Sequence, residues 1–293
     1  MGFALVDGIF VGTIYGLFAV GLVLVYNGSR VINFAQAELG TLAVYLTWTF
    51  TDGRDTPRLA AAIAAIVIVA VIGLAFERAV ISPLRDAQRI TVAVATVGMS
   101  LFLVAIELLF WGASPRNMPS PFRGGVTILG FVVNPIHWIA LGSLIVLSFG
   151  LAAFLKRTDF GLGVLASAQD PSAARLVGVR FADVSAFTWV LAAVLGALAA
   201  LLVQPRLGGF GVGFMTNKFF VPALAAALVG GLRSVRGAFL GGIAVGLIDS
   251  LSQYAVAEFR VDIPGVQILA LFLVILLVLL VRPQGLLGQR EAS

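Results

Sequence analysis

The sequence predicts an all-α, polytopic integral membrane protein with about eight or nine transmembrane helices. Of its 293 residues, 60% are hydrophobic and only 11% are charged. A soluble domain carries roughly 25% charged residues, so this composition cannot form an ordinary water-facing surface. The apolar residues also fall into runs close to the length of about 20 residues that crosses a bilayer as a helix.

Nine apolar runs are candidate spans, and short polar connections separate them. In chain order they cover residues 8–27, 35–51, 59–81, 91–112, 135–155, 185–203, 219–233, 237–255 and 265–281. The run at 219–233 is short for a span. We therefore expect a single transmembrane domain over 1–293, with its longest inner connection at 156–183.

The distribution of basic residues predicts the orientation. With the C-terminus inside, the inner connections hold 12 of the 19 Lys and Arg residues and the outer connections hold 7. Short cytoplasmic loops are enriched in Lys and Arg, which predicts an outer N-terminus and a cytoplasmic C-terminus in the bacterial inner membrane. The net charge of +5 is thus assigned to inner loops, and no nucleic-acid partner is expected.

A polar stretch, "NGSRVINFAQAELG" at 27–40, interrupts the first two spans. Asn33 is predicted to cap a helix, with Gln36 completing a capping box three residues later. The helix would then start inside the membrane after a broken or re-entrant segment, with its positive end facing a cavity. The alternative from pattern alone is a solvated cytoplasmic loop. Glu38 favours the first interpretation, because a carboxylate within a span is usually functional or paired, with Arg30 its nearest partner in sequence.

Two further spans carry an acidic residue, Asp249 in "VGLIDSLSQYAV" and Glu107 in "LVAIELLFWG". Lipid disfavours both, so a cavity or a polar partner is expected to face them. The predicted substrate pathway comprises Asn33, Gln36, Glu38 and Asp249. The polar joint "GGFGVG" between the spans at 185–203 and 219–233 resembles the first joint in outline, so an inverted repeat is a further hypothesis.

The connection at 156–183 contains a short helix signature in "QDPSAARLVGV". Asp170 is placed as N-cap, Pro171 as the first helical residue and Gly178 just after the end. About two turns are too short to be stable alone in water, so this helix should dock on another surface. Ala173 and Ala174 supply a small face, and Arg175 would anchor it to an acidic rim.

Four blocks of sequence resemble one family over nearly the whole chain. "VINFAQAE" at Val31–Glu38 is similar to "VINFAHGE", with Gln36 and Ala37 in place of His and Gly. The other blocks are "GLGVLASAQDPSAARLVGV", "KFFVPALAAALVGGLRSVRGAFLGG" and "LLVRPQGLLG". Together they resemble the permease subunits of branched-chain amino-acid ABC importers, the LivH type.

This resemblance implies a function and a set of partners. A periplasmic binding protein would deliver branched-chain or other amino acids, a second related permease would complete the pore, and two cytoplasmic ATPases would drive it. The short helix would couple to an ATPase through Asp170, Pro171, Ala173, Ala174, Arg175 and Gly178; the alternative is that it rests on its own membrane domain. The chain lacks the Gly-Lys-[Ser/Thr] of a phosphate-binding loop, so ATP hydrolysis is expected in the partners, and no cofactor or metal is expected here.

Other functions stay open from the sequence. The same signatures fit an importer permease for urea or short amides. A stand-alone ion-coupled transporter would use Glu38, Glu107 and Asp249 as a relay. An intramembrane enzyme is disfavoured, because the chain has no cysteine and a single histidine, His137.

Overall fold

Helices make up most of the structure, a computed structural model that describes residues 1–54, 56–120, 124–128, 131–169, 174, 180–259, 265–282 and 285. Within these residues the helices, numbered in chain order, are α1 Gly2–Ser29, α2 Gln36–Thr51, α3 Arg58–Phe76, α4 Arg89–Trp111, α5 Pro135–Arg157, α6 Asp159–Gln169, α7 Phe181–Leu207, α8 Val221–Gly230, α9 Val235–Glu258 and α10 Val266–Val281. Two π-helical turns adjoin them, Glu77–Ile81 after α3 and Thr216–Phe220 before α8.

The first helix lies at the centre of the bundle. α1 is apolar on all sides, as a fully enclosed helix must be, and 94% of its most apolar stretch is buried. It packs against α9, α7, α8 and α5. Small residues permit the closest of these approaches: a Cβ built at Gly242 of α9 would overlap the backbone of α1 at Gly16, and one at Gly246 would overlap it at Gly12. These glycines therefore let the backbones of α1 and α9 approach each other closely.

The outer helices show the opposite burial. In α3 one face packs inward against α2 and α7, through Ala61, Ala65, Val69 and Gly73. The opposite face exposes large apolar side chains at i, i+4 spacing: Leu59, Ile63, Val67 and Val71. Helices α4, α5 and α10 also expose large apolar residues. Since these surfaces suit lipid and not water, the chain is a multi-pass membrane protein.

Each of the nine predicted spans coincides with a helix. Among the described residues, six are long and apolar enough to cross a membrane: α1, α3 with its π turn, α4, α5, α7 and α9. The 16 residues of α2 extend only about 24 Å at about 1.5 Å per residue, less than the bilayer core of about 30 Å. The helices over 216–230 and 268–278 are also short, so the count of eight or nine spans is approximate.

Four short strands lie in the connections between the helices. β1 Arg116–Asn117 pairs antiparallel with β4 Gly209–Phe210, and β2 Val126–Ile128 pairs with β3 Phe131–Val133. The sequence "VTILGFVV" is apolar but too short to span, and its β-branched residues favour a hairpin. The β1–β4 pair joins the loop after α4 to the loop after α7.

Candidate functional site

The first of two breaks in the helical bundle separates α1 from α2. α1 ends at Ser29, and Arg30 adopts a left-handed conformation (φ 58°) that turns the chain away from the helix axis. Thr96 of α4 supports the irregular segment, because its hydroxyl lies 3.3 Å from the Phe34 nitrogen and 3.4 Å from the Ile32 carbonyl. Irregular backbone at membrane depth requires such partners within the protein. The predicted break is therefore present.

The predicted capping box at this break is wrong. The N-cap residue of α2 is Ala35, and its side chain forms no capping bond. Asn33 instead accepts a hydrogen bond from the Ala35 nitrogen two residues later (3.0 Å), which closes a turn ahead of the helix. The Gln36 side chain points elsewhere and donates to the Phe18 carbonyl of α1 (3.0 Å).

Gln36 lies between two glycines, one on each neighbouring helix. A Cβ at Gly21 of α1 would overlap the Gln36 amide, and a Cβ at Gly196 of α7 would come within 2.9 Å of the Gln36 carbonyl oxygen. Gln36 and Asn33 are fully buried, and each keeps one polar atom without a hydrogen-bond partner, Gln36 Oε1 and Asn33 Nδ2. The first break thus holds one hydrogen-bond acceptor and one donor that have no partner.

The second break separates α7 from α8 and follows the predicted "GGFGVG" joint. Gly208 (φ 70°) ends α7, and Gly213 (φ 68°) precedes the π turn Thr216–Phe220. Both φ values lie in the left-handed region, which glycine adopts at low cost. We call residues 208–215 the second joint. It contacts α2 directly, because the Met215 nitrogen lies 3.4 Å from the Thr41 hydroxyl.

Two buried carboxylates meet at this second joint. The Gly213 nitrogen donates to Glu107 Oε2 of α4 (3.3 Å), and Glu38 Oε1 of α2 would lie 3.5 Å from a Cβ at Gly213. Glu107 is 0% exposed and Glu38 is 1% exposed. The ion pairs of the described residues do not include Glu38. The first break and the second joint are therefore linked through the first turn of α2.

Asp249 lies in a separate polar network between α1 and α9. Its Oδ2 accepts a hydrogen bond from the Tyr15 hydroxyl (2.8 Å), so the expected polar partner is present. Asp7 contributes a second contact between the same helices, because its Oδ2 accepts from the Ser250 hydroxyl (3.0 Å). Asp7 Oδ1 also pairs with Arg206 of α7 at 2.6 Å. The structure does not bring Asp249 to Glu38; the acids lie in two networks.

Two polar residues of these networks were absent from the predicted pathway. Glu107 had a clear signal, an acidic residue inside an apolar span, but its meeting with Glu38 depends on tertiary structure. Asp7 lies just before the first predicted span, so no feature of the sequence pointed to it.

Most of the predicted coupling residues lie outside the described residues: Asp170, Pro171, Ala173, Arg175 and Gly178. Ala174 is helical and 2% exposed.

Comparison with known proteins places these features in a family. A family model described as "Branched-chain amino acid transport system / permease component" matches residues 4–282. The chain belongs to this family. The break at residues 30–35, the second joint and the predicted spans all lie inside the matched region, and the family is one of permease components, not of enzymes.

Similar permeases extend over almost the same length. BraD, the high-affinity branched-chain amino acid permease protein of Pseudomonas aeruginosa, is 30% identical and covers 99% of this chain and 96% of its own. LivH of Escherichia coli is 29% identical over 98% of this chain and 95% of its own. A probable LivH of Methanocaldococcus jannaschii is 26% identical over 93% and 88%. The solved structure of PsaBC from Streptococcus pneumoniae, in complex with Fab, aligns with a TM-score of 0.49 at 15% identity and covers 96% of this chain and 91% of that one.

Proposed function

We propose that this chain is the translocation subunit of an ATP-driven importer for branched-chain amino acids. A periplasmic binding protein delivers the solute, a second related permease completes the pore, and two cytoplasmic ATPases drive it. The observation that carries the proposal is the family match over residues 4–282, with relatives of the same length that are named for this transport. The chain lies in the inner membrane with its N-terminus outside and its C-terminus in the cytoplasm, as the excess of inner basic residues favours.

In this proposal the solute passes the first break. An amino acid presents a carboxylate and an ammonium group, and a helix that starts inside the membrane offers its positive end to the carboxylate. The unused Asn33 Nδ2 donor and Gln36 Oε1 acceptor beside that helix start supply matched hydrogen bonds. Glu38 and Asp249 contribute negative charge further along the path. Because these side chains are buried here, the joints at Arg30 and Gly208 must open during transport.

The connection at 156–183 transmits ATPase motion in this proposal. α5 ends at Arg157 and α6 continues to Gln169, so the predicted coupling helix follows two helices that pack on each other. Ala174 is buried within this chain and would pack the coupling helix against the membrane domain. Asp170, Pro171, Ala173 and Gly178 would shape the helix, and Arg175 would contact the ATPase.

The test uses the first break and a matched control. Asn33→Asp keeps the oxygen that accepts from Ala35, but it replaces the unused donor with a negative charge that repels a substrate carboxylate. Asn33→Ala removes the acceptor as well, a loss of about 0.5–1.5 kcal/mol of stability. Leucine uptake should fall at least about tenfold in the Asp variant at normal expression, which corresponds to about 1.4 kcal/mol.

Asn134 provides the control because its side chain makes the same type of bond outside the joint. Its Oδ1 accepts from the Ile136 nitrogen, also two residues later and also at 3.0 Å. Asn134→Ala should therefore cost similar stability and leave uptake unchanged. Uptake within twofold of wild type for both Asn33 variants, at equal expression, would contradict a path through the first break.

A further inference from the structure

The connection after α4 lies against the second joint. We call residues 112–120 of this connection the strap. Its strand β1 pairs with strand β4 of the second joint, so that Asn117 lies opposite Gly209. The strap begins where α4 ends, and the second joint begins where α7 ends. The β1–β4 pair is therefore a direct link between two connections at the same end of the bundle.

The strap is attached to the helices through Gln204, a fully buried residue in the last turn of α7. Gln204 Nε2 donates to the Met118 carbonyl of the strap (2.9 Å), and Gln204 Oε1 accepts from Arg58 of α3 (3.2 Å). Arg58 also donates to the Pro119 carbonyl of the strap. Because the oxygen and the nitrogen of the buried amide are both bonded, the strap has a fixed attachment to α7 and α3.

The second joint differs from the strap, because its first half has space to move. Gly208, which ends α7, has a left-handed φ of 70°. A Cβ built at Gly208 or Gly211 would meet nothing within 4 Å, so open space surrounds this half of the second joint. A two-stranded pair is only marginally stable by itself. The second joint is thus hinged at Gly208 and tied to the strap by a pair that separates at low cost.

The second joint connects the strap to the interior of the bundle. Phe210 of β4 is buried, and its ring centroid lies 4.9 Å from that of Tyr45 in α2. Further along the second joint, the Met215 nitrogen lies 3.4 Å from the Thr41 hydroxyl, also in α2. Since α2 follows the first break, a movement of the second joint reaches the helix that starts there.

We propose that the strap is an outer gate of the solute path, and that β1 and β4 separate in each transport cycle so that the second joint moves about Gly208. The strap stays attached to Gln204 while the second joint leaves it. This inference rests on the proposed function, because it takes the second joint as part of a path that opens. A pair with a static packing role would instead stay closed throughout transport. The two roles predict opposite effects of a covalent bond between the strands.

Two introduced cysteines provide that bond, and the chain has no native cysteine. Opposite residues of an antiparallel pair have Cα atoms about 4.5–5.5 Å apart, within the range of about 4.4–6.8 Å that a disulfide spans. A Cβ built at Gly209 would lie 3.0 Å from Asn117 Oδ1, so these two positions project toward each other. Asn117→Cys combined with Gly209→Cys should therefore form a disulfide on oxidation.

The readout is leucine uptake by vesicles that contain the chain with its cognate permease, ATPases and binding protein. Oxidation of the double variant should lower uptake at least about tenfold, and dithiothreitol should restore it, because the disulfide holds the gate closed. Thr127→Cys with Val132→Cys is the matched control. These residues lie opposite each other in the β2–β3 pair, so this disulfide should leave uptake unchanged.

Full uptake by the fully crosslinked Asn117–Gly209 variant would overturn the proposal, and so would an equal loss in the control. Absence of leucine uptake by the wild-type chain would instead refute the proposed function, and the strap is then tested without a solute.

That second measurement is thiol labelling of the full-length chain, purified in detergent. Met215 of the second joint is 0% exposed, so Met215→Cys should react slowly with a maleimide. Adding Gln204→Leu removes the attachment of the strap and should raise the labelling rate at least about tenfold through local opening. Thr47→Val is the control, since Thr47 is equally buried but bonds to Ala43 within α2. An unchanged rate with Gln204→Leu would overturn the proposal; if that variant does not fold, the crosslink decides alone.

Discussion

Replacing Gly12 with alanine should push α1 and α9 apart. A Cβ at this position would lie 2.7 Å from Ile243 Cα and 2.8 Å from the Gly242 carbonyl oxygen, whereas ordinary contact begins at 3.4 Å. Both neighbours are backbone atoms, so no side chain can rotate away and the helices must separate by about 0.7 Å. Overpacking costs about 1–3 kcal/mol, and the two rigid backbone contacts place this substitution at the upper end, about 2–3 kcal/mol. The helix propensity of alanine returns about 1 kcal/mol, so the expected net loss is about 1–2 kcal/mol.

The assay is thermal unfolding of the purified chain in detergent, where that loss should lower the melting temperature by about 2–8 °C. Gly98→Ala is the matched control, because Gly98 lies in α4 and a Cβ there would meet nothing within 4 Å. This control should unfold at or above the wild-type temperature. An unchanged or raised melting temperature for Gly12→Ala would refute the close packing of α1 on α9.

Three further outcomes are expected. Tyr15→Phe removes the donor to Asp249 and should cost about 1–3 kcal/mol, and the double variant with Asp249→Leu should lose less than the sum of the two single losses, as measured by thermal unfolding; additive losses would contradict the pair. Arg175→Glu should abolish uptake and transport-stimulated ATP hydrolysis without lowering the melting temperature, and normal uptake would exclude its coupling role. In a chain without native cysteine, one introduced at exposed Asp86 should be protected from an impermeant thiol reagent in intact cells while one at exposed Pro119 reacts, and the opposite pattern would reverse the orientation.

The apolar runs predicted where helices form, but not how deeply each helix is buried. The runs that form α1 and α5 are both long enough to cross a membrane. The most apolar stretch of α1 is nevertheless 94% buried, whereas that of α5 is 18% buried. This difference in burial arises from which helices pack on α1 and on α5. The spacing of apolar residues along a run does not predict those neighbours. The contact of Gly12 with Ile243 and Gly242 is likewise visible only in the structure.

The candidate site shows the same division. Polar residues within apolar sequence correctly predicted the first break and the joint near Gly213. The helix start was misplaced because Asn33 bonds two residues ahead and so closes a turn, and the choice between a turn and a cap depends on backbone angles. The meeting of Glu38 and Glu107 was beyond prediction, because it depends on a loop more than a hundred residues after Glu107 in the chain.

The central claim is that this chain carries branched-chain amino acids under the control of partner ATPases. The most direct measurement is uptake of radiolabelled leucine by vesicles that contain the chain with its cognate permease, ATPases and binding protein. The account predicts ATP-dependent accumulation of leucine that isoleucine and valine inhibit and urea does not, and loss of this accumulation when the phosphate-binding lysine of the ATPases is replaced. Accumulation of urea in place of leucine, or leucine uptake that persists with inactive ATPases, would contradict it.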